Sequence, residues 1–138
     1  LKEKANSSVL GGVPASLPAL VKAIRMQEKA AGVGFDWDKK EQVWHKVEEE
    51  LAEFKAEAER LEDKDKLEAE FGDVLFSLVN YARFIGLNPE NALERTNRKF
   101  RERFQYIEQA ARKQGQDLHE MTLDEMDKLW EQAKSETD

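Results

Sequence analysis

The sequence lacks cysteine and contains few residues that bend the chain. Without cysteine it has no disulfide, no thiolate nucleophile and no cysteine-ligated metal. Seven glycines and three prolines in 138 residues are too few for the many turns of an all-β fold. No apolar run approaches the length of a membrane span, and no signal peptide is visible. We therefore expect a cytoplasmic protein without membrane contacts.

Positive charge is also in short supply, since the formal net charge is -7. This balance argues against a nucleic-acid partner, because a phosphate backbone requires a basic face. An acidic protein can still bind a small polyphosphate when divalent cations lie between the two negative surfaces. Hydrophobic residues make up 40% of the chain and charged residues 37%, a mixture typical of amphipathic helices. The composition therefore predicts an all-α fold.

The spacing of apolar residues predicts five helices. The first has Ser16 as its N-cap and Pro18 in its first turn, and it ends at Gly32 and Gly34. The predicted bounds of the others are Lys40 to Arg60, Leu67 to Ile85, Pro89 to Gly115, and a last helix that starts from a capping box at Thr122. Residues 1–12 are interpreted as a linker or tail and residues 13–138 as a domain.

The third predicted helix is apolar almost all round, from Val74 to Val79. Such a helix is normally buried on more than one side. Because a domain this small can hardly cover both faces, we expect a homodimer. The predicted architecture is a four-helix bundle that a second subunit completes or doubles.

Two acidic pairs carry the candidate chemistry: Glu50 and Glu53 on the second helix, and Glu70 and Asp73 on the third. A spacing of three residues places both members of a pair on one face of their helix. Both pairs lie at the border of the apolar stripe, whereas Glu49 points nearly opposite the core. Two helices with a short connection pack antiparallel, so the two acidic borders can face each other.

Four carboxylates in one crevice repel one another unless cations bind there. Oxygen ligands without His or Cys favour a hard ion, Mg²⁺ or Mn²⁺. The alternative is that these residues form an ordinary solvated acidic face. A di-iron bundle would need Glu-x-x-His pairs, which His45 and His119 do not supply.

The fourth helix offers Lys99 and Arg103, four residues apart on one border. Beside a metal–carboxylate site these cations are candidates for binding phosphate oxygens. Trp130 in the last helix either caps a core or stacks on a base. Trp37 and Trp44 are interpreted as core or interface residues.

These motifs resemble the MazG family of all-α nucleoside triphosphate pyrophosphohydrolases. Its EExxE motif corresponds to Glu49–Glu53 and its ExxD motif to Glu70–Asp73. Segments 13–20, 32–37 and 97–104 resemble the entry, the following loop and the phosphate-binding helix of the C-terminal domain of a two-domain MazG protein. The resemblance covers about Gly12 to Lys134, so residues 13–138 would form a MazG-like catalytic domain. The related N-terminal domain of such proteins is not in this chain, which begins at Leu1; we expect it to be the C-terminal piece.

The resemblance implies a dimeric enzyme that cleaves nucleoside triphosphates between the α and β phosphates. It assigns Mg²⁺ binding to Glu50, Glu53, Glu70 and Asp73. It places Lys46 beside the nucleotide, Lys99 and Arg103 on the triphosphate, and Trp130 against the base. Two alternatives stay open: a narrow dUTP or dCTP pyrophosphatase, and a non-catalytic helical interaction module.

Overall fold

The computed structural model describes residues 8–60 and 63–137, and in this part of the chain it contains helices and no strand. The α-helices are α1 (Ala19–Gly32), α2 (Lys40–Arg60), α3 (Lys64–Phe84), α4 (Pro89–Lys113) and α5 (Leu123–Glu136). A 3-10 helix, Leu118–Glu120, lies between α4 and α5. The predicted all-α fold is confirmed. Part of the predicted tail, residues 1–7, lies outside the described residues, and the boundary at residue 13 stays a prediction.

The predicted start of the first helix is wrong. Pro18, not Ser16, occupies the N-cap position, and no side chain caps the helix there. Pro18 has extended backbone angles, with φ -56° and ψ 145°, so it precedes the first helical turn instead of lying in it. The helix begins with Ala19, and the carbonyl of Pro18 accepts a hydrogen bond from the amide of Lys22.

Helix α3 begins three residues earlier than the apolar pattern predicted. The side chain of Asp63 accepts hydrogen bonds from the backbone amides of Asp65 and Lys66, at 3.0 and 3.2 Å. An N-cap of this kind satisfies amides that have no partner inside the helix. The polar residues after Asp63 are therefore helical, although they carry no apolar periodicity.

Glycines and a capping box delimit the later helices as predicted. Gly86 and Gly115 have φ values of +82° and +68°, a conformation that favours glycine, and they follow the ends of α3 and α4. Thr122 and Glu125 form the predicted capping box at the start of α5, each side chain bonding the other's backbone amide.

The chain divides into two compact units, one ending at Glu90 and the other starting at Asn91. In the first unit α2 and α3 pack antiparallel. Trp44 packs against Tyr81 at one end of this pair, with tilted rings whose centroids are 5.1 Å apart. Phe54 lies 5.3 Å from Phe71 at the other end. Helix α1 also contacts α3.

The core of the second unit is built from α4, the 3-10 region and α5. Its buried residues are Ile107, Ala111, Met121 and Leu129. The buried apolar residues of α4, Ile107 and Ala111, lie in its C-terminal half, whereas Leu93 and Phe100 are 50% and 59% exposed. In residues 8–60 and 63–137 no helix is long and apolar enough to cross a membrane.

Candidate functional site

Three of the four predicted metal-binding carboxylates meet between α2 and α3. Glu50, Glu53 and Glu70 each offer an oxygen, and these oxygens lie within 4.8 Å of one another. The antiparallel packing of the two helices produces this arrangement, since it brings the middle of α2 beside the first half of α3. The three-residue spacing of Glu50 and Glu53 places both on the face of α2 that borders its partner.

Glu50 is the most buried member of this acidic cluster, with 7% of its surface exposed. One of its oxygens, Oε1, pairs with Nζ of Lys46 one turn earlier, at 2.9 Å. The other, Oε2, is buried and has no hydrogen-bond partner among the described residues. A buried carboxylate oxygen without a partner is costly, because it has lost its hydration and gained nothing in exchange. A bound cation could satisfy this oxygen.

The electrostatics of the cluster reflect crowding of like charges. Partial burial is the largest cause that raises the pKa of Glu70, and the negative charges of Glu53, Asp73 and Glu50 raise this pKa further. On α2, the hydrogen bond to Glu50 is the largest cause that raises the pKa of Lys46. The fold thus disfavours the ionised form of Glu70 and favours the charged form of Lys46.

Asp73 lies one turn beyond Glu70 on α3 and is exposed. It is outside the set of three converging oxygens, although its charge acts on Glu70. Glu49 is exposed on α2, as the helical wheel predicted.

Another contact between the same helices was not foreseen. Lys66 on α3 pairs with Glu57 on α2 at 3.0 Å. Glu57 follows Glu53 by four residues, so the stripe of acidic residues on α2 extends one turn further. Lys66 thus pairs with the carboxylate of Glu57, whereas Oε2 of Glu50 has no partner within the described residues.

The donor set of the acidic cluster fits a divalent cation. All ligands are carboxylate oxygens, the type that Mg²⁺, Mn²⁺ and Ca²⁺ prefer. Glu50, Glu53 and Glu70 can hold the ion directly, and a cation would both satisfy Oε2 of Glu50 and reduce the repulsion at Glu70. The cluster can therefore bind a metal ion.

In the second unit the predicted phosphate-binding residues lie on α4. Lys99 lines a cleft of about 480 Å³ together with Arg95 and Arg98, which gives the cleft a basic wall. Arg103 turns towards α5. Its guanidinium lies 5.4 Å from the ring centroid of Trp130, and its Nε donates to Oγ1 of Thr137 at 3.4 Å.

The tryptophan predictions for the first unit are corrected in part. Trp37 and Trp44 are 42% and 43% exposed, so neither is a core residue.

The sequence analysis did not predict an ion pair between Asp36 and Arg83, whose atoms lie 2.7 Å apart. The two residues are 47 positions apart, and no local pattern links them.

Comparison with known proteins identifies the family. Residues 38–108 match the MazG nucleotide pyrophosphohydrolase domain, and they make up just over half of the chain. The chain is 46% identical over 133 residues to the nucleoside triphosphate pyrophosphohydrolase/pyrophosphatase MazG of Thermotoga maritima. It is 41% identical over the same length to the nucleoside triphosphate pyrophosphohydrolase of Escherichia coli K12, and 52% identical to the uncharacterized protein YabN of Bacillus subtilis.

These alignments cover 96% of this chain, but the chain spans about half the length of the first two relatives and 27% of YabN. The matched region contains α2 and α3 with all four predicted metal-binding carboxylates, and most of α4. The family predicted from the two acidic motifs is confirmed: the chain belongs to the MazG family of nucleotide pyrophosphohydrolase domains.

Proposed function

We propose that this domain hydrolyses nucleoside or deoxynucleoside triphosphates between the α and β phosphates, giving a monophosphate and pyrophosphate. The proposed cofactor is Mg²⁺, with Mn²⁺ as the alternative ion. The proposed ligands, which also form the catalytic centre, are Glu50, Glu53, Glu70 and Asp73. The proposed nucleotide-binding residues are Lys46, Lys99, Arg103 and Trp130.

The observation that carries this proposal is the buried Oε2 atom of Glu50, which has no partner within the described residues. A merely solvated acidic face would expose its carboxylates to water. Here Glu50 is buried, its Oε2 has no partner in the described chain, and two further carboxylates lie within 4.8 Å. Such a group is stabilised by a cation, and a cation is what an acidic protein needs to bind a polyphosphate.

The acidic residues of the proposed site have different roles. Lys46 pairs with one oxygen of Glu50, and the other oxygen has no partner within the described chain. Glu53 is exposed and can orient a water for in-line attack on the α-phosphorus, accepting a proton from it. Asp73, exposed one turn from Glu70, adds a fourth carboxylate.

The bound Mg²⁺ would supply Lewis acidity towards the phosphate oxygens and towards the attacking water. Lys99 and Arg103 are proposed to bind the triphosphate and stabilise the negative charge that develops on the departing pyrophosphate. No covalent intermediate is needed, because water attacks phosphorus directly.

The test is a panel of ribonucleoside and deoxyribonucleoside triphosphates with Mg²⁺, in which pyrophosphate and inorganic phosphate are measured separately. We expect pyrophosphate and monophosphate in equal amounts. Release of inorganic phosphate would contradict cleavage between the α and β phosphates. Turnover of dUTP or dCTP alone would support the narrow enzyme, and no release of either product would support an interaction module.

We also propose that the domain forms a homodimer through α3. Phe71, Leu75 and Leu78 recur at intervals of four and three on this helix, and they are between 40% and 48% exposed. A stripe of this kind is typical of a protein interface. Sedimentation equilibrium should give twice the monomer mass for the unaltered chain and the monomer mass for Leu75→Glu.

A location in the cytoplasm stays a prediction.

A further inference from the structure

The guanidinium of Arg103 on α4 contacts the C-terminal part of α5, and both helices belong to the second unit. Its Nε donates a hydrogen bond to Oγ1 of Thr137 at 3.4 Å, and its Cζ lies 5.4 Å from the ring centroid of Trp130. A guanidinium within about 6 Å of an aromatic centroid is attracted to the ring face. One contact is at the edge of the guanidinium plane and the other is at its face, so together they restrict its orientation.

The hydroxyl of Thr137 acts as an acceptor towards Arg103, because its own proton is used elsewhere. Oγ1 donates to the backbone carbonyl of Ala133 at 2.9 Å, and the backbone amide of Thr137 donates to the same carbonyl at 2.9 Å. A hydroxyl has one proton to donate and two lone pairs that accept. Arg103 is therefore connected to the backbone of α5 by a series of two hydrogen bonds that passes through Thr137.

This series ends at a fixed point of the fold. Ala133 is fully buried, with 0% of its surface exposed, and its carbonyl is one of the last of α5, which need partners from the end of the helix. Because a closely packed interior holds its atoms in place, the position of this carbonyl fixes the hydroxyl of Thr137. The Nε of Arg103 thus bonds to a group that the core itself positions.

The rest of the guanidinium is available to a ligand. Its Nη1 and Nη2 atoms have no partner within residues 8–60 and 63–137, and these nitrogens can bind two phosphate oxygens at once. Thr137 also lines the basic cleft of about 480 Å³ together with Lys99, so Arg103 is held at the edge of that cleft. Lys99 is exposed, whereas Arg103 is partly buried.

Holding the arginine in advance favours binding. A free arginine side chain loses rotamer freedom when it binds a ligand, and this loss weakens the affinity. An arginine that the protein already orients has lost part of this freedom on folding. Arg103 should therefore bind phosphate oxygens more tightly than it would without its contacts to α5.

We propose that Thr137 is a positioning residue, which orients Arg103 so that its Nη atoms bind phosphate oxygens. The inference rests on the proposed function, since that function assigns Arg103 to the triphosphate. Thr137 acts through Arg103 and is itself assigned no contact with the substrate.

Titration calorimetry with inorganic tripolyphosphate and Mg²⁺ tests this role. Thr137→Val keeps the size of the side chain and removes the hydroxyl, and we expect binding to weaken about fivefold, the equivalent of one net hydrogen bond. Thr137→Ser keeps the hydroxyl, so this conservative variant should bind within about twofold of the unaltered chain.

A double-mutant cycle distinguishes positioning from a purely structural role. Arg103→Gln alone should weaken binding about twentyfold, because a hydrogen bond from a charged group is lost. In the Arg103→Gln background, Thr137→Val should change binding further by less than about twofold, because the group that Thr137 orients is gone. The same fivefold loss in both backgrounds would overturn the inference, since it would show that Thr137 acts independently of Arg103.

Ser135→Ala is the matched control. Ser135 is also near the C-terminal end of α5, and its hydroxyl donates to the carbonyl of Gln132 at 2.8 Å instead of contacting Arg103. This variant loses a hydroxyl from the same part of the helix and should bind tripolyphosphate within about twofold of the unaltered chain. Circular dichroism verifies that each variant is helical.

Unchanged binding in Thr137→Val, or a loss in Thr137→Ser as large as in Thr137→Val, would also overturn the inference. So would an absence of tripolyphosphate binding by the unaltered chain. None of these results refutes the proposed function if pyrophosphate is still released from nucleoside triphosphates. Conversely, an absence of pyrophosphate release would refute the proposed function, while the binding cycle would still report whether Thr137 orients Arg103.

Discussion

The acidic helix pair α2–α3 and the basic helix α4 with α5 differ in how far their charged groups are paired by the protein's own residues. In the first, three carboxylates converge within 4.8 Å, and a buried oxygen of Glu50 has no partner in the described chain. In the second, the cation of Arg103 rests on Trp130 and bonds to Thr137. In the first region Lys46 pairs with one oxygen of Glu50 and the other oxygen has no partner within residues 8–60 and 63–137. In the second region the protein's own side chains hold the cation of Arg103.

This difference indicates which charged groups are candidates for binding a ligand. A charge that the protein satisfies itself has a structural explanation. A buried charge without a partner lowers the free energy of unfolding. The presence of such a charge is therefore a reason to propose a bound group. By this criterion we propose Glu50, and not the more numerous exposed acids of α2, as the centre of the candidate site.

The largest expected effect comes from removing that charge. Glu50→Gln keeps the shape of the side chain, but the amide is a poor ligand for a hard cation. We expect pyrophosphate release to fall by at least about a hundredfold, because changing even an outer-shell partner of a metal ligand typically costs about 10- to 100-fold. Release is measured with a coupled phosphate assay after pyrophosphatase treatment.

Glu49→Gln is the neighbouring control for this experiment, because it makes the same chemical change at an exposed position. It should retain activity within about twofold. Similar losses in both variants would show that the charge of α2 as a whole matters, and the comparison between a site and a solvated face would fail.

The second effect concerns metal-free stability. Partial burial, followed by the charges of Glu53 and Asp73, disfavours the ionised form of Glu70. Glu70→Gln should therefore raise the thermal midpoint of the metal-free protein at neutral pH. Addition of Mg²⁺ should raise the midpoint of the unaltered chain and have less effect on the variant. Differential scanning calorimetry with and without EDTA measures both.

A lower metal-free midpoint in Glu70→Gln would mean that the acidic cluster is stabilising without an ion. The contrast between the two regions would then lose its physical basis, whatever the activity of the variant.

The third effect is a pH-dependent contribution of Asp36 to the free energy of unfolding. Hydrogen bonds from Arg83 are the main cause that lowers the pKa of Asp36 below its ordinary value of 3.8. A lowered acid pKa contributes stability above the unfolded pKa, and this stability is lost as the pH falls through the folded pKa. Asp36→Asn should therefore cost about 1.5 kcal/mol at neutral pH and progressively less as the pH falls from 3.8 through the lowered folded pKa.

Urea unfolding at pH 7 and at pH 3 measures this contribution, with Asp38→Asn as the control in the same exposed loop. The control should change little at either pH. A pH-independent cost in Asp36→Asn would show that the residue stabilises the loop by something other than its charge.

The smallest expected effect lies in the second unit, at a group that the protein satisfies itself. The hydroxyl of Thr122 accepts from the amide of Glu125 at 3.1 Å, and Thr122→Ala should lower the free energy of unfolding by about 1 kcal/mol. Ser135→Ala, near the other end of α5, should cost less, because that hydroxyl only bonds a carbonyl one turn back. An equal loss in both would argue against a specific role of the cap.

Much of the helical framework could be predicted, because local rules govern it. The bounds of α2 were predicted from periodicity, and the start of α5 from its capping box. The start of α1 was misplaced, since Pro18 takes the N-cap position that Ser16 was expected to hold. The start of α3 was missed because Asp63 caps residues without an apolar pattern.

The candidate site was predictable to the extent that helix geometry determines it. Pairs at spacing three on two helices predicted an acidic crevice, and the structure brings Glu50, Glu53 and Glu70 together. It does not bring Asp73 into the same set of oxygens. No helical wheel could show that Glu50 is buried with one free oxygen, because burial depends on the neighbouring helix.

The sequence by itself determined the helical class, the acidic pairs and the family, because each depends on residues near one another in the chain. Only the tertiary structure decided which charges are satisfied. The pairing of Asp36 with Arg83 and the contact of Gln27 with α3 join residues 47 and 49 positions apart. Contacts over such separations arise from packing between helices, and local spacing does not encode them.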